Sequence, residues 1–294
     1  MSLRQMEYLV TVVEEQSFTR AAERLNVSQS ALSHQIKALE RETGGPLLER
    51  LAHGVRPTPM GRAYLPHAER AVRSAGQARR AARAAAGAEG GELHVATLHA
   101  LAVGVLPPVL ARWGREVPGV RLHLHEYVTP DDLRDGVERG VADVAVGPRP
   151  QDWPGPVVPV GEERIVVVTS ADDPLTRRPH PVPLPALADR LWVRCALEPL
   201  VEGRRWLDVV CARAGFAPRT ALETEHSSTA VRMAAAGVGI VAAPTHLAAT
   251  TPGTATVPVD PAWRRELAAF TRVELTGAAA EFVRLCAGEV PATG

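Results

Sequence analysis

Apolar residues recur at helical spacing from the start of the chain. Leu3, Met6, Leu9, Val10 and Val13 form one stripe and predict a helix over residues 2–15. Phe18, Ala21, Ala22 and Leu25 predict a second, short helix, which Asn26-Val27 breaks. Ser28 then suits an N-cap, because its hydroxyl can accept from a free backbone N–H of the next helix. In that third helix Leu32, Ile36 and Leu39 face inward, leaving Gln29, Ser30, Ser33, His34 and Lys37 opposite, with no acid before Glu40. Gly44-Gly45 ends it, Leu47-Leu48 forms an apolar anchor, and 49–57 reads as a small hairpin carrying Arg50, His53 and Arg56. Over 58–87, Gly61, Leu65, Ala68, Val72, Ala75, Arg79 and Ala82 fall at heptad spacing. This long Ala-rich helix has too narrow an apolar stripe to fold alone. Leu65, Ala68, Val72 and Ala75 are therefore expected to meet the same helix of a second subunit.

After the break GAEGG at 87–91 the pattern changes. Apolar runs predict strands at 93–97, 120–127, 142–146, 164–169, 191–194, 221–225, 239–243 and 267–273. Helical segments fall between them at 103–116, 130–139, 185–189, 200–214, 228–236 and 278–287. Such alternation predicts an α/β fold with parallel sheets.

The 294 residues have zero formal net charge, but the charge is unevenly spread. Residues 1–87 carry 13 Lys+Arg against 8 Glu and no Asp, a net of +5, whereas the rest carries 20 against 25, a net of −5. A basic front and an acidic back suit a chain of which only the front meets phosphate. The polar face of the third helix has side chains that bond base edges and phosphates, as a helix in a DNA major groove requires. Ser28, Gln29, Ser30, Ser33, His34 and Lys37 are the candidate DNA contacts. Arg50 and Arg56 of the hairpin are candidates for phosphates or the minor groove.

No apolar run is long enough to span a membrane, and Arg4 and Glu7 argue against a signal peptide. Cys195, Cys211 and Cys286 show no metal-ligand spacing and read as reduced cytoplasmic thiols. His123 and His125 share a strand face, with His94 and His99 near in sequence, but no Cys or carboxylate stands at metal spacing, so neither metal nor cofactor is expected. No G-x-S-x-G, Walker loop or H-E-x-x-H occurs, so an enzyme reading lacks residues to carry it.

Residues 1 to about 65 resemble the winged helix-turn-helix of LysR-type transcriptional regulators. The matching pieces are LRQMEYLVTVVEEQSFTRAAERLNVSQSALSHQIKALE, GGPLLER and TPMGRAYLPHA, in that order. Ser30, His34 and Leu48 stand where that family often has Pro, Arg and Phe, and Pro57 replaces a usual aliphatic residue. The resemblance implies a DNA-binding domain over 1–58, a linker and dimerisation helix over 59–90, and an effector-binding domain over 91–294. The last would have two α/β lobes, like type 2 periplasmic binding proteins: lobe I from 92–162 and 265–294, lobe II from 163–264. It further implies a cytoplasmic dimer or tetramer that binds an operator in double-stranded DNA and contacts RNA polymerase.

In such a fold the ligand sits in the interlobe cleft at the carboxyl ends of strands. Two stretches fit: Thr97 to His99 and Ala100, and His226, Ser227, Ser228 and Thr229, each ending a strand and opening a helix. Helix N-termini favour anions, so a small carboxylate is expected, held by Thr97, Ser227 and Ser228. Arg194 and Cys195 are a weaker third contribution. The few aromatic residues argue against a large stacking pocket. Two alternatives remain: a thiol redox sensor using Cys195 and Cys211, and a two-lobed solute-binding protein.

Overall fold

The structure is a computed structural model that describes residues 1–51, 54–85, 91–195, 198–201 and 203–289. It divides into two compact units, Met1–Ala82 and Arg83–Gly294.

In the first unit, α1 (Leu3–Glu15), α2 (Phe18–Arg24) and α3 (Gln29–Thr43) enclose one core. Ser2 and Gln5 form a reciprocal capping box at the start of α1, satisfying two backbone donors that the helix leaves open. The Ser28 hydroxyl accepts from Ala31 N at 3.2 Å and so starts α3. Leu32, Ile36 and Leu39 are buried with Leu9, Val12 and Ala21. The wing is β1 (Leu48–Leu51) antiparallel to β2 (Gly54–Pro57). Glu40 bends away from the polar face of α3, and its Oε1 accepts from Leu47 N at 2.9 Å and Leu48 N at 3.1 Å, tying the helix to the wing. His53, expected on the hairpin, lies outside the described residues.

Helix α4 (Pro59–Ala85) begins where the Thr58 hydroxyl accepts from Gly61 N. Two of its heptad positions differ from expectation. A Cβ at Gly61 would meet the Leu47 carbonyl at 2.0 Å, so this position packs on the base of the wing. Ala68 is already fully buried in one chain, whereas Leu65, Val72 and Ala75 remain part-exposed.

The second unit is built on one mixed sheet. Its elements are β3 (Gly91–Leu98), α5 (His99–Gly104), α6 (Leu106–Glu116), β4 (Val120–Tyr127), α7 (Pro130–Glu138), β5 (Val144–Pro148) and β6 (Val157–Ser170). Next come β7 (Val182–Pro183), β8 (Leu191–Cys195), β9 (Leu200–Val201), β10 (Arg204–Arg205), α8 (Trp206–Arg213), β11 (Arg219–Thr224) and α9 (Ser227–Ala235). The unit closes with β12 (Val241–Pro244), α10 (Thr245–Ala249), β13 (Thr254–Val257), β14 (Val259–Asp260), β15 (Trp263–Phe270) and α11 (Gly277–Glu289).

Among the described residues, seven strands run in the order β12-β6-β15-β5-β3-β4, with β13 also on β6. The expectation of parallel sheets holds for β3, β4 and β5, but β15 runs antiparallel to both β5 and β6. The reason is that β6 and β15 are the two passages of the chain between lobes, in opposite directions. Their register pairs Glu162 with Glu266 and Arg164 with Arg264. Lobe I packs α6, α7 and α11 on β3, β5 and the outer part of β15, with Trp113, Phe270 and Phe282 in its core. Lobe II encloses two smaller cores, one around Trp192 and Leu207, the other around Val168 and Ala230.

Three helical expectations are corrected. The segment at 103–116 divides at Val105, where Pro107 and Pro108 start α6 afresh. The segment at 200–214 begins only at Trp206, because Gly203 takes φ +73° and turns β9 back on β10. That at 185–189 is a 3-10 turn, Leu184–Leu187.

Candidate DNA-reading face and effector cavity

Ser28, the N-cap of α3, and Gln29, Ser30, His34 and Lys37 on the helix are exposed and Ser33 is half-buried; Ser30, His34 and Lys37 lie farthest round the helix from the buried Leu32, Ile36 and Leu39. Part of this face is already engaged. Ser28 caps the helix and lies 3.1 Å from the Ser30 hydroxyl. Ser33 Oγ accepts from Arg50 Nη2 at 3.0 Å, and the Arg50 guanidinium sits 4.6 Å from the centre of the Phe18 ring. Gln29, His34 and Lys37 therefore project furthest from the protein's own contacts. The wing arginines separate by pleat: Arg50 pairs across the hairpin with Val55, and Arg56 with Glu49, so they point to opposite faces. Arg56 Nε donates to Glu49 Oε1 at 2.7 Å, and an exposed pair of this kind is easily exchanged for a phosphate.

In the second unit a cavity of about 650 Å³ opens between the lobes. Leu98, His99 and Ala100 line it from lobe I; Cys195, Glu225, His226 and Ser227 line it from lobe II. Both expected stretches thus reach it, and the His99 and His226 rings meet edge-on across it, centroids 5.5 Å apart. His226 is the N-cap of α9 without a side-chain cap bond, and Ser227 is its first residue, so neither hydroxyl nor imidazole is used up in capping.

Four expected residues are not in the lining. Thr97 belongs to the β3 ladder, on the same face as Leu93 and Val95; it is fully buried and its hydroxyl donates to the Val146 carbonyl at 2.8 Å. Arg194 is buried between Glu198 (2.9 Å) and Asp208 (2.7 Å). Burial lowers its pKa, but these two carboxylates outweigh that and raise it, so the charge is fixed and already neutralised. Ser228 and Thr229 are the second and third residues of α9, and neither lines the cavity.

The main lining was not read from the sequence. Trp206 and Trp263, 4.9 Å apart and edge to face, form an apolar wall with Ile165, Val193 and Leu207. The expectation against aromatic stacking is corrected here: the chain has few aromatic residues, yet two tryptophans meet at this cavity. The indole N–H of Trp263 is buried without an acceptor. Arg264 and Arg265 of β15 also reach the lining, paired with Glu162 and Glu163 on β6.

For the thiol-sensor alternative, Cys211 is fully buried, and burial pushes its thiol up to about 12. Cys195 Sγ donates to the Glu225 carbonyl at 2.9 Å.

Residues 3–62 match the family model for the bacterial regulatory helix-turn-helix protein of the lysR family, and residues 86–291 match the LysR substrate binding domain. The chain belongs to the LysR family of transcriptional regulators. It is similar to TfdS of Cupriavidus pinatubonensis, 32% identical over 254 residues that cover 85% of this chain and 84% of that protein. IlvR of Caulobacter vibrioides is 31% identical over 258 residues, 84% and 83% of the two chains. Among solved structures, full-length CbnR complexed with its target DNA is similar at 25% identity and TM-score 0.73, covering 99% of this chain and all of that one. Full-length OxyR from Pseudomonas aeruginosa, in a cysteine-to-aspartate form, is similar at 26% identity and TM-score 0.69, with 98% and 94% covered. This LysR-type chain is therefore a DNA-binding transcriptional regulator with a substrate-binding domain, and not an enzyme. Among the described residues no helix is long and apolar enough to cross a membrane.

Proposed function

We propose that this regulator reads its operator through Gln29, Ser30, Ser33, His34 and Lys37, with Arg50 and Arg56 on the phosphates, and that a small amphipathic acid in the interlobe cavity controls its action. The carrying observation is the composition of the cavity wall. It takes residues from both lobes and from both crossover strands, Ile165 on β6 and Trp263 to Arg265 on β15. A molecule bound there touches both lobes and the strands that join them, so it favours one lobe arrangement over another. The apolar body would lie on Trp206, Trp263 and Val193. Its negative end would meet Ser227 and the first N–H groups of α9. The solute-binding alternative does not account for a helix-turn-helix with an exposed polar face.

The DNA half of this reading is tested by selecting sites for the full-length protein from a randomised duplex pool and measuring variants on the selected site. Gln29→Ala is expected to weaken specific binding by about 1–3 kcal/mol and relax the preference at one base position, without lowering the melting temperature. Arg56→Ala is expected to weaken binding to all sequences alike and reduce the salt slope by about 1. Normal binding by Gln29→Ala together with a lowered melting temperature would place Gln29 in the fold and not at the DNA.

Assembly follows from α4. The part-exposed Leu65 and Val72 are proposed to pack against the same helix of a second subunit. Leu65→Glu or Val72→Glu would place a charge in that seam at a cost of several kcal/mol. Sedimentation is expected to show the smaller species, with loss of binding to two-fold sites; an unchanged mass would remove this stripe from the interface.

A further inference from the structure

We propose that the outer face of β3 and β4 is a binding site for a divalent first-row transition metal of the Zn²⁺ class, held by Glu92, His94 and His123. The parallel register sets His94 beside His123 and Glu92 beside Arg121, so all four side chains share one face, opposite the core residues Leu93 and Val95. Glu92 Oε1 is 3.7 Å from His123 Nε2, and Glu92 Oε2 is 3.9 Å from His94 Nε2. One donor atom from each of the three lies within 4.8 Å of the others. A tetrahedral ion with bonds of about 2.0–2.1 Å needs adjacent donors about 3.3 Å apart; the His94 and His123 rings stack at 4.7 Å and 14°, so binding also turns them until both Nε2 lone pairs converge on the ion.

Two further observations point to a ligand. His123 Nε2 is buried and has no hydrogen-bond partner, an unusual state for a buried polar atom. The other ring nitrogen of His94, Nδ1, lies 2.9 Å from His125 Nε2. If Nδ1 carries the proton and donates there, Nε2 keeps its lone pair toward Glu92 and His123. This is the outer contact that fixes the tautomer of a metal-bound histidine. The support is rigid: Asp143 Oδ2 accepts from His94 N at 2.9 Å, and Asp143 N donates to the His94 carbonyl. Arg121 is the competitor, donating to Glu92 Oε1 at 3.2 Å, but its side chain is 73% exposed and such a surface pair is weak.

Two imidazoles and one carboxylate select Zn²⁺, Co²⁺ or Ni²⁺ over Mg²⁺ or Ca²⁺, which take oxygen ligands. Three protein ligands leave a position for water. The same two strands end at the cavity: β3 runs into Leu98 and His99, and β4 into Val128. A bound ion would clamp the far ends of the strands that carry the lobe I wall.

The test uses tag-free, chelator-treated full-length protein titrated with Zn²⁺ and, for its visible spectrum, Co²⁺. One ion per chain is expected, with a Co²⁺ spectrum of four-coordinate intensity, proton release on binding, and a Zn²⁺-dependent rise in melting temperature. Glu92→Gln and His123→Ala are expected to weaken binding at least about 10-fold, and His125→Ala by about 10–100-fold through the tautomer of His94. Glu92→Gln on the exposed end of β3 keeps the fold, so its loss of binding cannot be read as unfolding. Zn²⁺ affinity unchanged in both Glu92→Gln and His123→Ala, or no Co²⁺ spectrum in the wild type, overturns the site.

Discussion

Arg194→Ala is expected to cost about 3–5 kcal/mol of folding stability, because it strands two carboxylates around a buried position. The guanidinium holds Glu198 through both Nε and Nη2 and Asp208 through Nη1, and joins β8 to the start of α8. Chemical denaturation of the full-length protein measures the loss. If the stranded acids are its cause, Arg194→Met combined with Glu198→Leu and Asp208→Leu recovers most of the stability, since a well-packed apolar set can replace a buried ion cluster. A variant as stable as wild type with a weakened effector response would instead return Arg194 to the role of ligand contact.

The second large effect is expected at the crossing of the lobes. Glu163 on β6 is 5% exposed and bonds both Arg265 of β15 and His246 of α10, the latter at 3.0 Å. Burial pushes its carboxyl up, but His246 and Arg265 together hold it below the ordinary 4.5. A depressed carboxylate contributes stability that is fully present above its unfolded value and is lost as pH falls through the folded one. Glu163→Gln is therefore expected to cost about 3–5 kcal/mol near neutrality, leaving Arg265 without its carboxylate. The gap in melting temperature between wild type and variant should close below about pH 4.5. A gap that stays constant into acid would show that the carboxylate charge contributes nothing. A Cβ at Gly104 of lobe I would meet His246 Nδ1 at 2.1 Å, so the Glu163 partner also fills the seam against α5.

The first unit was legible almost in full, because each of its signals is local. Ser17 and Ser28 cap α2 and α3, the stripes of α1 to α3 keep one period, and the wing follows from Gly54 and its flanking residues. In the second unit the eight expected strands could be read from apolar runs, but the short β7, β9, β10, β13 and β14 were missed, and the direction of β15 could not be read. It depends on which residues 100 positions apart lie together, as in the pairing of Glu163 with Arg265. The cavity failed for the same reason. Thr97 was expected to end its strand at the ligand, yet β3 runs on to Leu98 and keeps Thr97 in the core. Trp206 and Trp263 meet only through the fold, and so do Glu92 and His123, whose separation in sequence hid any metal-ligand spacing. Arg194 is the last residue but one of β8, and its two acids, from the following loop and from α8, occupy it completely.

The central claim, that an acid in the interlobe cavity controls DNA engagement, is tested most directly by one titration series. Full-length protein on its selected duplex is followed by fluorescence anisotropy and footprinting across a panel of small aromatic and aliphatic carboxylates and their neutral amides. At least one carboxylate should change the Kd or the footprint length. In Ser227→Ala the same change should need about tenfold or more of it, as losing a hydrogen bond to a charged group requires. A response to the amides alone, or one that Ser227→Ala and Trp206→Ala leave untouched, would contradict the account.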